Sequence, residues 1–349
     1  MRNGLFRSKP VRTAFFVLSA LLVTAAALFL LPLLGRTVYS PTAWRLLLAP
    51  EGNGGIAAPI LTERFRNTAL AFTAGGGLAL AGLILQTLFR NPLASPFTLG
   101  IAGGASFGAV LAIAAAPFLW GTVPIAGFGA VGSLLGAAAA IALVLFLARG
   151  RDMASETVLL AGVGVNFFFS GLILFTQYLS EEGRLFRMIR WTMGQVSLTD
   201  PALLVLLAGV VVVSAILLYL FADEMDILLT GDERALSLGV NLHAVRIFLF
   251  LLSSVLVSAV VSVCGPIGFV GLTAPHFARR AVGGEHRRLI PVSLLFGALF
   301  LAICYTAARV ILYPDILPVG VITSLLGGPF FIWLLTRTDQ SAEQRVPRP

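Results

Sequence analysis

The feature that most constrains this chain is a long stretch, Asn91 to Ala148, that contains no Asp, Glu, Lys, Arg or His. A membrane-spanning helix needs roughly 20 predominantly apolar residues. The stretch therefore has room for two such helices, with a turn at 116–124. Strands of a membrane barrel alternate in polarity, and no such alternation is present. Because a spanning segment must satisfy its backbone hydrogen bonds internally, the sequence predicts an all-α, polytopic integral membrane protein.

The overall composition agrees with a membrane protein. Hydrophobic residues make up 58% of the chain and charged residues only 11%, against about 25% charged residues in a soluble domain. The net charge of +8 would suggest nucleic-acid binding in a soluble protein. Here the basic residues cluster in short loops, as membrane topology requires. Cys264 and Cys304 lie in apolar runs without metal-ligand spacing.

Hydropathy and helix breakers predict about ten transmembrane helices in a single domain that covers residues 1–349. The apolar run at 14–34 follows Arg2, Arg7, Lys9 and Arg12, and it is too long for a signal peptide. We therefore interpret it as an uncleaved first span. The predicted spans are 14–34, 68–88, 98–116, 124–148, 156–178, 201–221, 246–264, 267–278, 289–311 and 318–335.

The arginine distribution predicts the orientation of these spans. An even number of spans places both termini on one side. With the N-terminus inside, most of the 24 Lys and Arg residues fall on the cytoplasmic side. We therefore expect cytoplasmic tails at residues 1–13 and 337–349.

Three polar segments interrupt the apolar pattern. Residues 35–67 and 179–200 are expected outside, and the second of these contains an arginine-rich interfacial helix. Residues 222–245 are expected inside. Within them, residues 228–239 resemble one short amphipathic helix that is capped at both ends. Such a helix could dock another protein, or it could be a plain solvated connector.

Catalytic patterns are not found in the sequence. The only lysine is Lys9, so the Gly-Lys-Ser/Thr end of a phosphate-binding loop cannot form. The chain is therefore not expected to hydrolyse ATP, to be an enzyme, or to bind a cofactor or metal itself. The interiors of the second to sixth spans are almost free of ionisable groups. A proton-coupled carrier needs such groups, so a secondary carrier or channel is the less favoured alternative.

Three blocks of sequence carry a family resemblance. They are Ala74-Gly-Gly-Gly-Leu with Gln86-Thr-Leu-Phe-Arg-Asn-Pro-Leu-Ala-Ser-Pro96, then Gly265-Pro-Ile-Gly-Phe-Val-Gly-Leu272 with Pro275-His-Phe-Ala-Arg-Arg280, and Leu317-Pro-Val-Gly-Val-Ile-Thr323 with Gly327-Gly-Pro-Phe-Phe331. The chain from 64 to 336 resembles the FecCD-type permeases, which import ferric siderophores, haem and vitamin B12.

This resemblance implies the fold and partners of a type II ABC importer permease in the bacterial inner membrane. It implies a homodimer with the pathway between two copies. It also implies two cytoplasmic ABC ATPase subunits, which bind ATP and Mg, and a periplasmic or lipid-anchored substrate-binding protein. The chain departs from the family pattern at two places. Arg64-Phe65-Arg66-Asn67 stands where the family has Arg-Leu-Pro-Arg, and Cys304-Tyr305-Thr306 replaces an acidic residue before Arg309.

The resemblance and the residue patterns together give three sets of candidate site residues. Docking of the binding protein is assigned to Arg64, Arg66 and Arg309. The translocation pathway is assigned to Asn166, Phe167, Phe168, Phe169 and Gln177. Coupling to the ATPase is assigned to Leu228, Gly231, Asp232, Arg234, Ala235, Leu238 and Gly239.

The expected substrate is a bulky metal chelate. An uncharged pathway cannot repay the dehydration of free Fe³⁺, which demands oxygen ligands. A chelate brings those ligands with it. We therefore rank a ferric siderophore first, haem second and vitamin B12 third.

Overall fold

The fold is a bundle of helices. A computed structural model describes residues 10–35, 57–119, 125–147, 155–198 and 200–343. Every regular element in these ranges is helical. The α-helices are α1 (Pro10–Leu30), α2 (Ala57–Leu88), α3 (Ile101–Leu119), α4 (Ile125–Leu147), α5 (Ser155–Tyr178), α6 (Glu182–Thr192), α7 (Pro201–Leu220), α8 (Ala222–Leu228), α9 (Asp232–Ser237), α10 (Leu242–Cys264), α11 (Val270–Val282), α12 (His286–Ile311) and α13 (Val319–Glu343).

Ten of these helices correspond one to one with the predicted spans. Six helices in the described part of the chain are long and apolar enough to cross a membrane: α2, α4, α5, α7, α10 and α12. Helices α1, α3 and α13 contain shorter apolar segments, and the 13-residue α11 completes the ten. The prediction of an all-α membrane protein with about ten transmembrane helices is confirmed.

Several predicted boundaries need correction. Helix α2 begins at Ala57 instead of residue 68 and has 32 residues. It is therefore about 48 Å long, which exceeds the roughly 30 Å hydrocarbon core. Its first turns must project beyond that core. Helix α13 runs on to Glu343 instead of ending at residue 335.

The prediction of one helix over residues 228–239 is wrong. The helix inside this range, α9, covers only Asp232–Ser237, and the preceding helix α8 ends at Leu228. Gly231 lies between them with a φ of +108°, a backbone conformation that glycine adopts without steric cost. We call residues 222–239 the paired-helix segment.

Helix α2 lies at the centre of the bundle and packs against α12, α10 and α11. Its glycines allow backbones to touch. A methyl group on Gly82 would lie 1.8 Å from the carbonyl oxygen of Gly271, and one on Gly75 would lie 2.2 Å from that of Gly297. Helices approach closely in lipid through such small residues, so α2, α11 and α12 form a tightly packed unit.

Helices α3 and α4 form a second close pair. A methyl group on Gly108 would lie 1.9 Å from the carbonyl oxygen of Gly132, and one on Gly136 would lie 2.1 Å from that of Gly104. The glycine repeats noted in the sequence therefore have a packing role, as expected. Gly100, just before α3, has a φ of +72° and packs against Gly162 of α5.

Charged residues collect at the two opposite ends of this bundle. Arg64 on α2 and Arg309 on α12 lie at one end, which we call the pocket end. Asp232 and its partners Arg90 and Arg246 lie at the other, which we call the network end.

Candidate functional site

A basic cavity lies at the pocket end. Its volume is about 290 Å³, and the residues that line it include Arg64, Arg190, Arg309 and one carboxylate, Glu63. The side chains of Arg64 and Arg309 are buried, with exposed fractions of 4% and 8%. The two arginines therefore form part of the cavity wall and do not protrude from the surface.

The guanidinium of Arg309 is bonded to the segment that follows α1, but only some of its N–H groups have a hydrogen-bond partner. Its Nη2 donates to the carbonyl oxygens of Leu31 and Leu34 at 3.1 and 2.7 Å, and its guanidinium lies 5.6 Å from the Tyr305 ring centre. Its Nε and Nη1 atoms are buried and have no hydrogen-bond partner among the described residues. A buried donor without a partner is costly, so the Arg309 guanidinium has capacity for a further hydrogen-bond acceptor.

Arg66 differs from the other two predicted docking residues. Its side chain is exposed, and it is not among the residues that line the cavity. The adjacent Asn67 is buried instead, and its Oδ1 accepts from the backbone N–H of Leu198 at 2.8 Å. The structure therefore brings Arg64 and Arg309 together and leaves Arg66 outside the cavity.

An uncharged cavity of about 620 Å³ lies between breaks in the helices. No charged side chain lines it in the described part of the chain. Its wall consists of Ser95, Phe97, Thr192, Met193, Pro266, Gly268, Phe269, Leu272, Gly320, Val321, Ser324 and Leu325. Such a surface offers contact to a large solute without ionic binding.

Backbone contacts hold this wall together. The N–H of Gln195 donates to the carbonyl oxygen of Cys264 at 2.7 Å. Gly194 and Gly265 have φ values of +70° and +68° and pack against each other's segments. Gly320 leaves no space for a methyl group, which would lie 2.1 Å from the carbonyl oxygen of Met193. The segments around Gly194, Gly265 and Gly320 are therefore in direct backbone contact beside the cavity.

The predicted pathway residues on α5 face two directions. Phe167 is 73% exposed and Phe168 is also exposed. In contrast, Phe169 is buried against Phe107 of α3, with ring centres 5.7 Å apart. The Oδ1 of Asn166 packs against Gly103 of α3. Asn166 and Phe169 thus contact α3 instead of a free surface, and Gln177 is half-buried.

At the network end, Asp232 fixes the start of α9. Both of its oxygens accept from Nη2 of Arg246, at 2.7 and 2.8 Å, and Oδ1 also pairs with Arg90. Hydrogen bonds from Arg246 and then from Arg90 lower the pKa of Asp232 below its usual value. Arg90 also donates through Nε to the carbonyl oxygen of Leu228 at 2.8 Å. The carboxylate of Asp232 is therefore paired with two arginines of the same chain.

A second aspartate joins the paired-helix segment to α12. The carboxylate of Asp226 lies 2.5 Å from Nδ1 of His286 and accepts from the His286 backbone N–H at 3.2 Å. The other ring nitrogen, Nε2, lies 2.8 Å from the Thr87 hydroxyl of α2. His286 is completely buried. The His286 ring therefore joins α8, α2 and its own helix α12.

A third aspartate makes a surface pair. Asp223 accepts from Nε and Nη2 of Arg287 at 3.0 and 2.9 Å, and these hydrogen bonds lower the pKa of Asp223. Both side chains are largely exposed, so the pair adds little stability.

The remaining predicted coupling residues are divided between core and surface. Ala235 and Leu228 are buried, whereas Arg234 and Gly239 are exposed. Leu238 is 60% exposed, and Leu236, which the sequence analysis did not select, is 61% exposed. The surface of the paired-helix segment therefore exposes Leu236 and Leu238, whereas Ala235 is buried.

The sequence analysis did not identify His286, which connects α8 to α2, and it did not identify the residues that line the uncharged cavity. Both lie in or beside blocks that carried the family resemblance. His286 follows the α11 block, and Gly265 to Leu272 supply part of the wall. The sequence feature that could have indicated the cavity wall is the interruption of the helical pattern at Gly265-Pro266 and Gly268.

Comparisons with known proteins agree with this arrangement. The model of the FecCD transport family matches residues 22–337. The hemin transport system permease HmuU of Yersinia pestis is 37% identical, over 79% of this chain and 83% of its own length. The Fe(3+) dicitrate permease FecD of Escherichia coli is 36% identical over 85% and 91%. The vitamin B12 permease BtuC of Vibrio cholerae is 38% identical over 76% and 79%.

A solved structure is similar over almost all of its length. It is described as an inward-facing conformation of an ABC transporter of the metal-chelate type. The TM-score is 0.80 at 27% identity, with 93% of this chain and 99% of that chain covered.

Proposed function

This chain belongs to the FecCD transport family, and we propose that it is the permease subunit through which an ABC importer moves a bulky metal chelate. Hydrolysis of ATP is then the work of separate subunits, and this chain alternates between outward and inward access. The observation that carries the proposal is the uncharged cavity between two charged ends. Hemin, Fe(3+) dicitrate and vitamin B12 permeases among its relatives support the class of cargo.

The proposed orientation places the network end in the cytoplasm. The chain would then lie in the bacterial inner membrane with both termini inside. Two ABC ATPase subunits, which carry ATP and Mg, would contact the exposed Leu236 and Leu238. Leucines that stand free at the end of a membrane bundle form the type of apolar patch that marks a protein interface.

The pocket end would then face the substrate-binding protein. We propose that acidic side chains of that protein enter the basic cavity and pair with Arg64 and Arg309. The buried Nε and Nη1 atoms of Arg309 support insertion into a cavity over contact on a flat surface. Arg66 would add an exposed, weaker contact at the rim.

Two copies of the chain would enclose the pathway. The exposed face of α5 supports this assembly, because Leu160, Phe167, Leu174 and Tyr178 form an apolar stripe at helical spacing. Phe167 and Phe168 remain pathway candidates. For Asn166 and Phe169 a role in supporting α5 against α3 is the better proposal.

The cargo proposal remains a ferric siderophore first, haem second and vitamin B12 third. A wide, weakly interacting wall lets a chelate leave as readily as it enters.

Uptake into proteoliposomes tests the function. The liposomes hold this chain with its ATPase subunits, the binding protein is outside, and labelled ferric siderophore, haem and cobalamin are offered in turn. We expect ATP-dependent uptake of one chelate and none of free Fe³⁺. Uptake without ATP would support a carrier or channel instead, and preferred uptake of free iron would contradict the cargo proposal.

A further inference from the structure

Two antiparallel helices connect the ends of the molecule. Helix α2 carries Arg64 at the pocket end and Thr87 at the network end, and α12 carries Arg309 and His286 at the corresponding ends. On both helices the two residues are separated by the same number of positions. That separation corresponds to roughly 35 Å of helix. One helix pair therefore contributes to both charged sites.

Helices α2 and α12 are in direct backbone contact. Gly75 and Gly297 lie near the middle of the two helices. A methyl group on either would lie 2.2 to 2.4 Å from the carbonyl oxygen of the other. The backbones touch without intervening side chains, and close-packed interiors transmit displacement. We call α2 and α12 together the strut.

At the network end the strut meets the paired-helix segment through one buried side chain. The ring of His286 is fully enclosed. It contacts Thr87 of α2 through Nε2 and Asp226 of α8 through Nδ1. A single imidazole thus touches both helices of the strut and the segment that faces the ATPase in the proposed assembly.

We propose that His286 is the positioning residue that connects the strut to the paired-helix segment. Through it, docking of the binding protein at the pocket end and ATP binding by the ATPase subunits, which contact the network end, influence each other. The proposal rests on the proposed function. It assigns to the Thr87–His286–Asp226 chain a role in coupling and none in contacting substrate or ATP.

The other contacts of the segment are less suited to this role. The Asp223–Arg287 pair is largely exposed, and Asp232, which pairs with Arg90 and with Arg246 of α10, is itself 46% exposed. Exposed ion pairs contribute little and tolerate rearrangement. Removing one partner of the buried Thr87–His286–Asp226 chain leaves a buried polar atom unsatisfied, and this chain is the contact of the segment that reaches both helices of the strut.

The test measures coupling in the reconstituted complex of this chain, its ATPase subunits and the binding protein. Thr87→Val is near-isosteric and removes the hydroxyl that faces Nε2 of His286, and Asp226→Asn is near-isosteric and removes the negative charge that faces Nδ1. Thr306→Val is the matched control. Thr306 is also a buried threonine on the strut whose hydroxyl donates to the carbonyl oxygen four residues earlier, as in Thr87, but among the described residues this hydroxyl bonds only within its own helix.

Two readouts report coupling and not mere folding. The first is the factor by which the binding protein stimulates ATP hydrolysis. The second is the ratio of binding-protein Kd values with and without a non-hydrolysable ATP analogue. Allosteric coupling is reciprocal and typically amounts to a factor of 5–150. We expect both factors to fall at least fivefold toward 1 in Thr87→Val and Asp226→Asn, and to change less than twofold in Thr306→Val.

A double variant sharpens the result. Thr87 and Asp226 touch opposite nitrogens of the same ring, so we expect the second substitution to add little to the first, which is the signature of a shared partner. Unchanged factors in both single variants, or losses equal to that of Thr306→Val, would overturn the role of His286. Failure of the wild-type chain to bind the ATPase or the binding protein would instead overturn the proposed function.

Discussion

The two ends of the molecule treat their charges in opposite ways. At the network end Asp223, Asp226 and Asp232 each have a basic partner within the chain. At the pocket end two arginines are buried around a cavity whose lining includes one carboxylate. At the network end these aspartates are paired within the chain, although the buried Oε2 of Glu224 has no hydrogen-bond partner among the described residues, and Leu236 and Leu238 are exposed. At the pocket end Nε and Nη1 of Arg309 have no such partner, which supports the proposal that this end receives an anionic group while the network end pairs its aspartates internally.

The largest effect should come from the exposed leucines of the network end. We expect the double substitution Leu236→Asp and Leu238→Asp to reduce ATP-driven uptake at least about 100-fold, because apolar residues at the centre of an interface can each contribute about 2 kcal/mol or more. Copurification of the ATPase subunits measures the cause directly. Leu236→Met with Leu238→Met is the control and should retain binding. Normal copurification of the Asp variant would place the ATPase contact elsewhere.

The next effect concerns the pocket end. We expect Arg309→Gln to weaken binding of the binding protein about 30-fold, since losing one partner of a buried charge pair costs at least roughly 2 kcal/mol. Surface-immobilised permease complex and soluble binding protein give the Kd. The weakening should persist at high salt, because buried pairs are little screened. An unchanged Kd would show that the cavity does not receive the binding protein.

A smaller effect is expected from Asp232 and depends on pH. Its pKa is lowered in the folded chain, so its stabilising contribution is present above the unfolded value of about 3.9. That contribution is lost as pH falls through the folded value. Hydrogen exchange of residues 232–239, corrected for intrinsic rates, should therefore be flat from pH 5 to 8 and rise below about pH 4.

Asp232→Asn provides the comparison for that pH profile. It should exchange severalfold faster than the parent chain at pH 7 and at about the same rate once the pH falls below the lowered pKa of Asp232. A difference between the two chains that stays constant over the whole range would mean that the Asp232 charge does not hold α9.

The smallest effect is expected at Arg66. Its side chain is exposed, and exposed pairs contribute about 0–1 kcal/mol. Arg66→Gln should weaken the binding protein less than about fivefold, and the difference should disappear at about 1 M salt, where the Debye length is about 3 Å. An effect as large as that of Arg309→Gln would remove the distinction between cavity and rim.

The helical fold could be predicted from the sequence, because apolar runs and breakers have few other solutions in lipid. The uncharged stretch 91–148 and the run at 201–221 gave spans close to the observed helices. The early start of α2 could not be predicted in the same way. Residues 57–67 are too polar for a span, and they are helical because they continue a long helix that packs against its neighbours.

The site was less predictable, because exposure depends on tertiary contacts. Nothing local distinguishes Arg64 from Arg66, yet one is buried and the other exposed. Ala235 and Leu236 are likewise neighbours that face opposite ways. The link through His286 joins residues about 60 and 200 positions apart in the chain, and periodicity carries no information on such pairs.

The contact between α3 and α4 has a consequence for biogenesis. Four glycines bring these helices so close that their backbones meet, and both belong to the stretch without charges. The two helices are therefore expected to enter the bilayer as a preformed hairpin while later spans are still being synthesised. Donor and acceptor dyes on a peptide that covers residues 95–148 should report the hairpin by energy transfer in lipid vesicles. Gly108→Leu should abolish the transfer, because the hairpin has no space between its helices for even a methyl group.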